Sequence, residues 1–289
     1  MKKKTLRLIM QSFIVVTIVT MYGCKKTDNN TPVVNNTAVS LAMDATKGQY
    51  LVDKNNQTLY FFSDDYKGKN TCSGVCKTYW PYFYAGVLTQ ADLGTGLNLA
   101  DFDTIVVNGT NQTRYKGWPL YYYAPAGTTL EPTGQINGES IANWYIAKPD
   151  YTIMLANGQL VGGDGKDYLS TYAVGTGNTV YFTDAKGLTL YFYAPDSFNI
   201  NKYTKADFSN NDYWPIYDTT KVVVPSSLDK SLFSSIKVYG KNQLTYKGWP
   251  LYYFGGDSKV RGNTKGITVP APGTVWPIAV KGVNEAPHK

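Results

Sequence analysis

Side chains able to do chemistry are few in this chain. The one histidine, His288, stands second from the C-terminus. No Ser-His-Asp or Cys-His arrangement can therefore be built in the body of the protein. The cysteines are Cys24, Cys72 and Cys76. A redox pair wants Cys-x2-Cys with a thiolate at a helix start, whereas Cys72 and Cys76 have three residues between them. No His follows Cys76 for haem attachment, and a zinc site lacks two ligands. The reading that survives is a small structural disulfide, Cys72–Cys76, pinning one long loop.

Carboxylates recur at a fixed distance from tyrosines. Asp65, Asp196 and Asp257 each lie five residues beyond a tyrosine, namely Tyr60, Tyr191 and Tyr252. An odd spacing puts Tyr and Asp on opposite faces of a continuous strand, so the two need not converge on one site. The runs also break at "SDD", "APD" and "GGD". Each Asp is thus expected just past a strand end, accepting backbone N–H groups in an Asx-type turn. A cation site would need clustered carboxylates, yet only Asp64 and Asp65 are adjacent, and "GGDGKD" lacks the spacing of a calcium loop. Nothing places two carboxylates together for glycoside hydrolysis, and "LGTGLNL" lacks the third glycine of a nucleotide fingerprint. No catalytic residue, metal or cofactor is expected.

The elements that position these residues are written as a repeat within a repeat. Leu59-Tyr60-Phe61-Phe62 returns as Leu190-Tyr191-Phe192-Tyr193, and YKGWPLYY starts at both Tyr115 and Tyr246, each time 131 residues later. Within each half, Tyr60 and Tyr121, then Tyr191 and Tyr252, are 61 residues apart. Each of these tyrosines is followed 20 to 24 residues later by a tryptophan: Trp80, Trp144, Trp214 and Trp276. The unit is an aromatic strand, a variable loop and a Trp-led strand.

Composition supports strands. The chain of 289 residues holds 25 Tyr, 6 Trp and 11 Phe, punctuated by 27 Gly and 14 Pro; aromatics suit a pleated, half-buried surface. Both faces of "LYFF" are apolar, so this strand should be central and covered on both sides. "LVDKNNQTLY" and "YFTDAKGLTLY" read strand, turn, strand. Five of the six tryptophans precede proline, which holds them extended at a strand start or edge. The "KGW" loops at Lys116 and Lys247 read as tight turns. The best helical candidate is a short turn around Leu99 to Thr104.

The expected fold is all-β: two homologous domains, 40–152 and 153–283, with a tail at 284–289. Each domain consists of two related aromatic-rich β units in a sandwich or barrel-like arrangement. A propeller-like ring of four units is the alternative.

The N-terminus reads as an export signal. "MKKKTLRLIM" is basic, and the apolar stretch from Leu8 to Tyr22 is short for a membrane span, which needs about 20 residues. It ends in Gly23-Cys24, which resembles the lipobox of bacterial lipoproteins and implies lipidation of Cys24. Residues 24–39 are polar and read as a flexible tether. Loss of residues 1–23 removes four basic residues and no acid, so the net charge falls from +7 to +3. That is no patch for nucleic acid.

Taken together, Tyr60…Asp65, Tyr191…Asp196, Tyr252…Asp257 and the loop "NTCSGVCKTYWPYF" resemble the bacterial secreted repeat of unknown function, a family of lipoproteins marked by Tyr-x4-Asp. The copy at Tyr121 departs, with Ala126 at the Asp position, so whatever the Asp does should be absent there. The second half lacks the cysteines. The resemblance implies secretion, a lipid anchor in the cell envelope and a repeat architecture; it implies no activity. The leading expectation is a non-enzymatic interaction or structural module with an envelope protein or glycan as partner. A carbohydrate-binding module is the alternative, with Tyr122, Tyr123, Tyr253 and Phe254 as candidate ligand-facing aromatics.

Overall fold

The computed structural model describes residues 37–288. Cys24, the export signal and most of the tether lie outside the described residues. The strands in chain order are β1 (Val39–Asp44), β2 (Gly48–Asp53), β3 (Tyr60–Phe62), β4 (Phe102–Val107), β5 (Thr110–Tyr115), β6 (Trp118–Pro119) and β7 (Trp144–Ile146) in the first half. The second half holds β8 (Met154–Val161), β9 (Asp167–Tyr168), β10 (Asn178–Thr183), β11 (Phe233–Val238), β12 (Lys241–Tyr246) and β13 (Trp249–Pro250). One short α-helix, α1 (Val75–Tyr79), lies in the cysteine loop. The helical turn expected around Leu99 to Thr104 is a 3-10 turn, Leu99–Asp101, which runs straight into β4.

The strands form several small antiparallel sheets, β1-β2, β3-β7, β4-β5-β6, β10-β8-β9 and β11-β12-β13, and these do not close into a barrel. Every sheet lies within one half, so pairing does not run round a ring of four units. Isolated bridges extend the centre of each half. Tyr121 joins β3 to Tyr82 in the first, and Tyr252 joins Tyr191 to Ile216 in the second. The aromatic strand of each unit is therefore central, and Leu59, Tyr60 and Phe61 are buried as their apolar pattern requires.

Turn chemistry fixes the register. YKGW is a two-residue hairpin in both copies, with Tyr115 opposite Trp118 and Tyr246 opposite Trp249. Lys116 and Gly117 have φ of 50° and 78°, Lys247 and Gly248 48° and 78°. Positive φ at both central positions is the type I′ geometry whose twist matches the flanking strands. In the turns after β2 and β10 one carboxylate oxygen organises the backbone. Asp53 accepts from the amides of Asn55 and Gln57, and Asp184 from those of Lys186 and Leu188.

Each half has its own aromatic core, yet the described residues lie within one compact unit. The sequence boundary at 152/153 falls just before β8, whose Asn157 amide donates to Asp64 of the first half at 2.8 Å. Gly158 of the same strand lies where any Cβ would overlap the ring of Tyr66. From the second half, Arg261 donates Nε–H to the Tyr66 carbonyl at 3.0 Å and Nη1–H to the Gly117 carbonyl. Its guanidinium lies 4.7 Å from the Trp118 ring centroid, a cation–π arrangement. Burial without a carboxylate partner lowers its pKa to about 10.

Arg261→Ala should lower stability by about 2–4 kcal/mol, since it strands two carbonyls of the first half and uncovers Trp118. A urea unfolding midpoint equivalent to a loss below about 0.5 kcal/mol would show that the halves hold without it.

Candidate functional site

The tyrosines of the repeat meet in pairs at the centre of each half. Tyr60 and Tyr121 exchange both backbone hydrogen bonds, at 2.9 and 3.1 Å, and Tyr191 and Tyr252 do the same at 2.8 and 3.0 Å. This antiparallel exchange relates the two units of a half by a local two-fold. The side chains then cross over. Tyr121 donates its hydroxyl to Asp65 Oδ2 at 2.5 Å, and Tyr252 donates to Asp196 Oδ2 at 2.8 Å. In the other direction Tyr191 donates to Asp257 Oδ2 at 2.6 Å. Each Asp thus serves the tyrosine of the partner unit rather than the one five residues before it, which explains why an odd spacing along a strand is no obstacle.

The unit with Ala126 completes the pattern by another route, contrary to the expectation that the carboxylate function is missing there. Tyr60 donates to Glu131 Oε1 at 2.5 Å. Glu131 is five residues further along and one methylene longer. In all four pairs the second carboxylate oxygen accepts a loop amide: Thr71 for Asp65, Asn137 for Glu131, Lys202 for Asp196 and Lys265 for Asp257, at 2.7 to 2.9 Å. The carboxylates accept backbone N–H groups as expected, but from six to eight residues on, so they close loops and do not form the expected Asx-type turns. Each carboxylate ties one tyrosine strand, one partner strand and one variable loop together.

These groups are dry. The four tyrosines have no exposed surface, and Asp65, Glu131, Asp196 and Asp257 expose 0, 2, 1 and 6% of theirs. Burial raises the carboxyl pKa values, to about 6 for Asp65 and Asp257 and about 7 for Asp196, with Glu131 raised as well. The hydrogen bonds they accept pull the other way and do not overcome desolvation. The tyrosine hydroxyls are pushed far up by the same burial and by the facing carboxylates.

Tryptophan stacks roof the tyrosine pairs. Trp80 lies on Trp144 with ring centroids 3.7 Å apart, and Trp214 on Trp276 at 3.6 Å. Gly138 and Gly266 donate their amides to the hydroxyls of Tyr60 and Tyr191. A Cβ on Gly266 would stand 2.8 Å from the Tyr191 ring and 2.9 Å from Trp214.

The variable loops close differently. Cys72 and Cys76 are disulfide-bonded, with Cys72 fully buried. In the second half, Asn201 accepts from the amides of Tyr203 and Thr204, while Asn210 bonds Tyr203 and Lys205. A hydrogen-bonded turn thus stands where the disulfide does. Behind both loops one polar relay repeats. Asn70 donates to buried Gln112, which donates to the Leu120 carbonyl; Asn201, Gln243 and Leu251 do the same. Sequence reasoning missed Glu131, Gln112, Gln243 and Arg261. For the two glutamines, their common place in the aligned halves was the available signal.

The candidate ligand-facing aromatics are all half-buried. Tyr122 and Tyr253 turn their hydroxyls to Asp53 and Asp184, at 2.9 and 3.1 Å. Tyr123 packs on Trp80 and Phe254 on Trp214. Tyr253 and Phe254 also line a cavity of about 800 Å³, with Asp184, Asp257, Lys186 and Lys259 on its walls. Both oxygens of Asp184 and of Asp257 already accept hydrogen bonds. No group of three His, Cys, Asp or Glu side chains among the described residues could hold a metal ion. No described helix is long and apolar enough to cross a membrane.

The fold and its crossed pairs define a tandem β-repeat protein in which each half is a closed pair of units. The profile of a family described as a secreted repeat of unknown function matches residues 41–83 and 236–280, so this chain carries that family's repeat in both halves. The matches span the first and last of the four units. No curated protein and no solved structure matches the chain.

Because the buried carboxyls hold protons that the unfolded chain has released, their contribution to stability is full below about pH 4 and is lost as pH rises through about 6 to 7. Thermal melting should therefore occur at higher temperature at pH 5 than at pH 8. Asp196→Asn imitates the protonated carboxyl and should flatten that slope. A Tm independent of pH across this range would contradict the assignment.

Removal of a single hydroxyl, as in Tyr252→Phe, should cost about 1–3 kcal/mol because Asp196 is left buried with one acceptor empty. A double-mutant cycle of Tyr252→Phe with Asp196→Asn should then show clear coupling, and strict additivity would refute the contact.

Proposed function

We propose that the protein is a lipid-anchored module of the bacterial cell envelope, held by Cys24, that acts by non-enzymatic interaction with, or support of, another envelope component. One observation carries the non-catalytic part of this reading. The residues that define the repeat are consumed in four buried Tyr–carboxylate pairs, every oxygen of which is engaged within the fold. Perturbed carboxyl pKa values often mark catalytic groups. Here the same shifts accompany full hydrogen bonding and near-complete burial, with only Asp257 reaching the wall of a cavity, which suits a structural role. The basic start, the apolar stretch and Gly23-Cys24 support export and anchoring, and the family's description as secreted agrees with an extracytoplasmic place.

A second reading, carbohydrate binding, is favoured by the cavity beside Tyr253 and Phe254, where an aromatic edge adjoins charged side chains. Sugar rings present such mixed surfaces. A glycan array probed with the soluble chain should then give signals that Phe254→Ala removes, and binding at background would discard this reading.

For the anchor, Cys24→Ala should move the exported protein from the membrane pellet to the soluble fraction. Continued pelleting of the variant would refute lipidation at that position.

A further inference from the structure

A second groove, of about 470 Å³, lies between the β1–β2 hairpin, the segment after β7 and residues 222–230 of the second half. Its charge is one-sided. Lys47, Lys148 and Lys230 line it, and the one acid on its wall, Asp150, is engaged with Lys221 at 2.9 Å. Val222, Val223 and Val224 form an apolar side.

Lys148 is the unusual member. It is 8% exposed, which is rare for a lysine that lacks an ion-pair partner. Among the described residues its ammonium has no hydrogen-bond or salt-bridge partner. The Tyr151 ring offers partial compensation, its centroid 5.4 Å from Nζ. Burial lowers its pKa, Glu139 and Asp150 oppose that, and Lys47 and Lys230 add to it. Three cations are thus held around one groove against their mutual repulsion, one of them on a side chain that is mostly buried.

The internal repeat supplies a control. In the second half the corresponding positions are held by Asn178 and Val280, which line a groove of their own. These residues stand 131 and 132 positions beyond Lys47 and Lys148, offsets shared by the Tyr60–Tyr191 and Trp144–Trp276 pairs. Two of the three lysine positions therefore hold an uncharged residue in the other half, so the repeat itself does not require a lysine at either of them. We infer that the groove bounded by Lys47, Lys148 and Lys230 is a binding site for a small oxyanion, a phosphate monoester or carboxylate, whose apolar substituent lies along Val222–Val224. An oxyanion there would accept from Lys148 and relieve the repulsion among the three ammonium groups. The site is independent of the anchoring and of the cavity beside Tyr253.

The test is amide NMR titration of the folded chain with phenyl phosphate and with benzoate, phenol serving as the neutral probe, all at constant ionic strength. At least one of the two anions should shift the amides of Ala45–Gln49 and Val222–Lys230 in a saturable way at concentrations below about 10 mM. Lys148→Met should weaken that binding at least about tenfold while leaving the remaining spectrum in place. Should Lys148→Met fail to fold, the double variant Lys47→Gln/Lys230→Gln, at half-buried and exposed positions, carries the same expectation. Absence of saturable shifts with both anions would overturn the proposal. So would an equal response to phenol, or unchanged affinity in the folded variant.

Discussion

The crossing of a tyrosine hydroxyl onto the carboxylate of a paired unit is the contact on which this architecture depends. A lone aromatic strand with apolar residues on both faces cannot be satisfied by one hairpin. It needs cover above, cover below and a strand on each side. The backbone exchange between Tyr60 and Tyr121, or Tyr191 and Tyr252, supplies a neighbouring strand. It also carries two hydroxyls into the dry centre, where each must find an acceptor. Asp65, Glu131, Asp196 and Asp257 provide those acceptors, and each then uses its second oxygen to order a loop. A core contact thereby becomes the attachment point for the most variable part of the unit, so a disulfide turn or an asparagine-capped turn can be mounted on the same frame.

That arrangement makes the half, rather than the unit, the indivisible element. One unit alone would keep its tyrosine but lose the acceptor, which belongs to the other unit. The local two-fold explains why the sequence carries the repeat in pairs and why the pair was duplicated as a block of 131 residues. The halves meet through Arg261 against Tyr66, Gly117 and Trp118, through β8 against Tyr66, through the Trp118 indole on the Ala185 carbonyl and through Val223 against Thr152.

Much of the frame was legible in the sequence because it rests on local rules. Trp-Pro dipeptides, Lys-Gly turns and runs such as LYFF declare extended backbone within a few residues. Their recurrence at constant offsets declares the duplication. The Tyr-x4-Asp motif was misleading for a physical reason. The neighbour five residues away is not the partner, and the true partners stand 56 to 71 residues apart, a distance that spacing within one unit does not encode. Glu131 was hidden for a related reason. A longer side chain from a later position reaches the same hydroxyl, so chemistry is kept while the motif is lost.

The same comparison of halves separates what the fold requires from what a site would add. Features present in both copies, such as the Tyr–carboxylate pairs, the tryptophan stacks and the Asn–Gln relay, answer to packing and hydrogen-bond satisfaction. They would persist in a protein that bound nothing. Features present once have no such obligation. The disulfide and Arg261 fall in this group, yet each has a structural partner that accounts for it. The lysine groove falls in it too. There a lysine with a mostly buried side chain faces two further cations, while the matching positions of the other half hold Asn178 and Val280. In a duplicated scaffold, a charge that is unmatched in the other half and held without an ion-pair partner is where function beyond the fold should be sought.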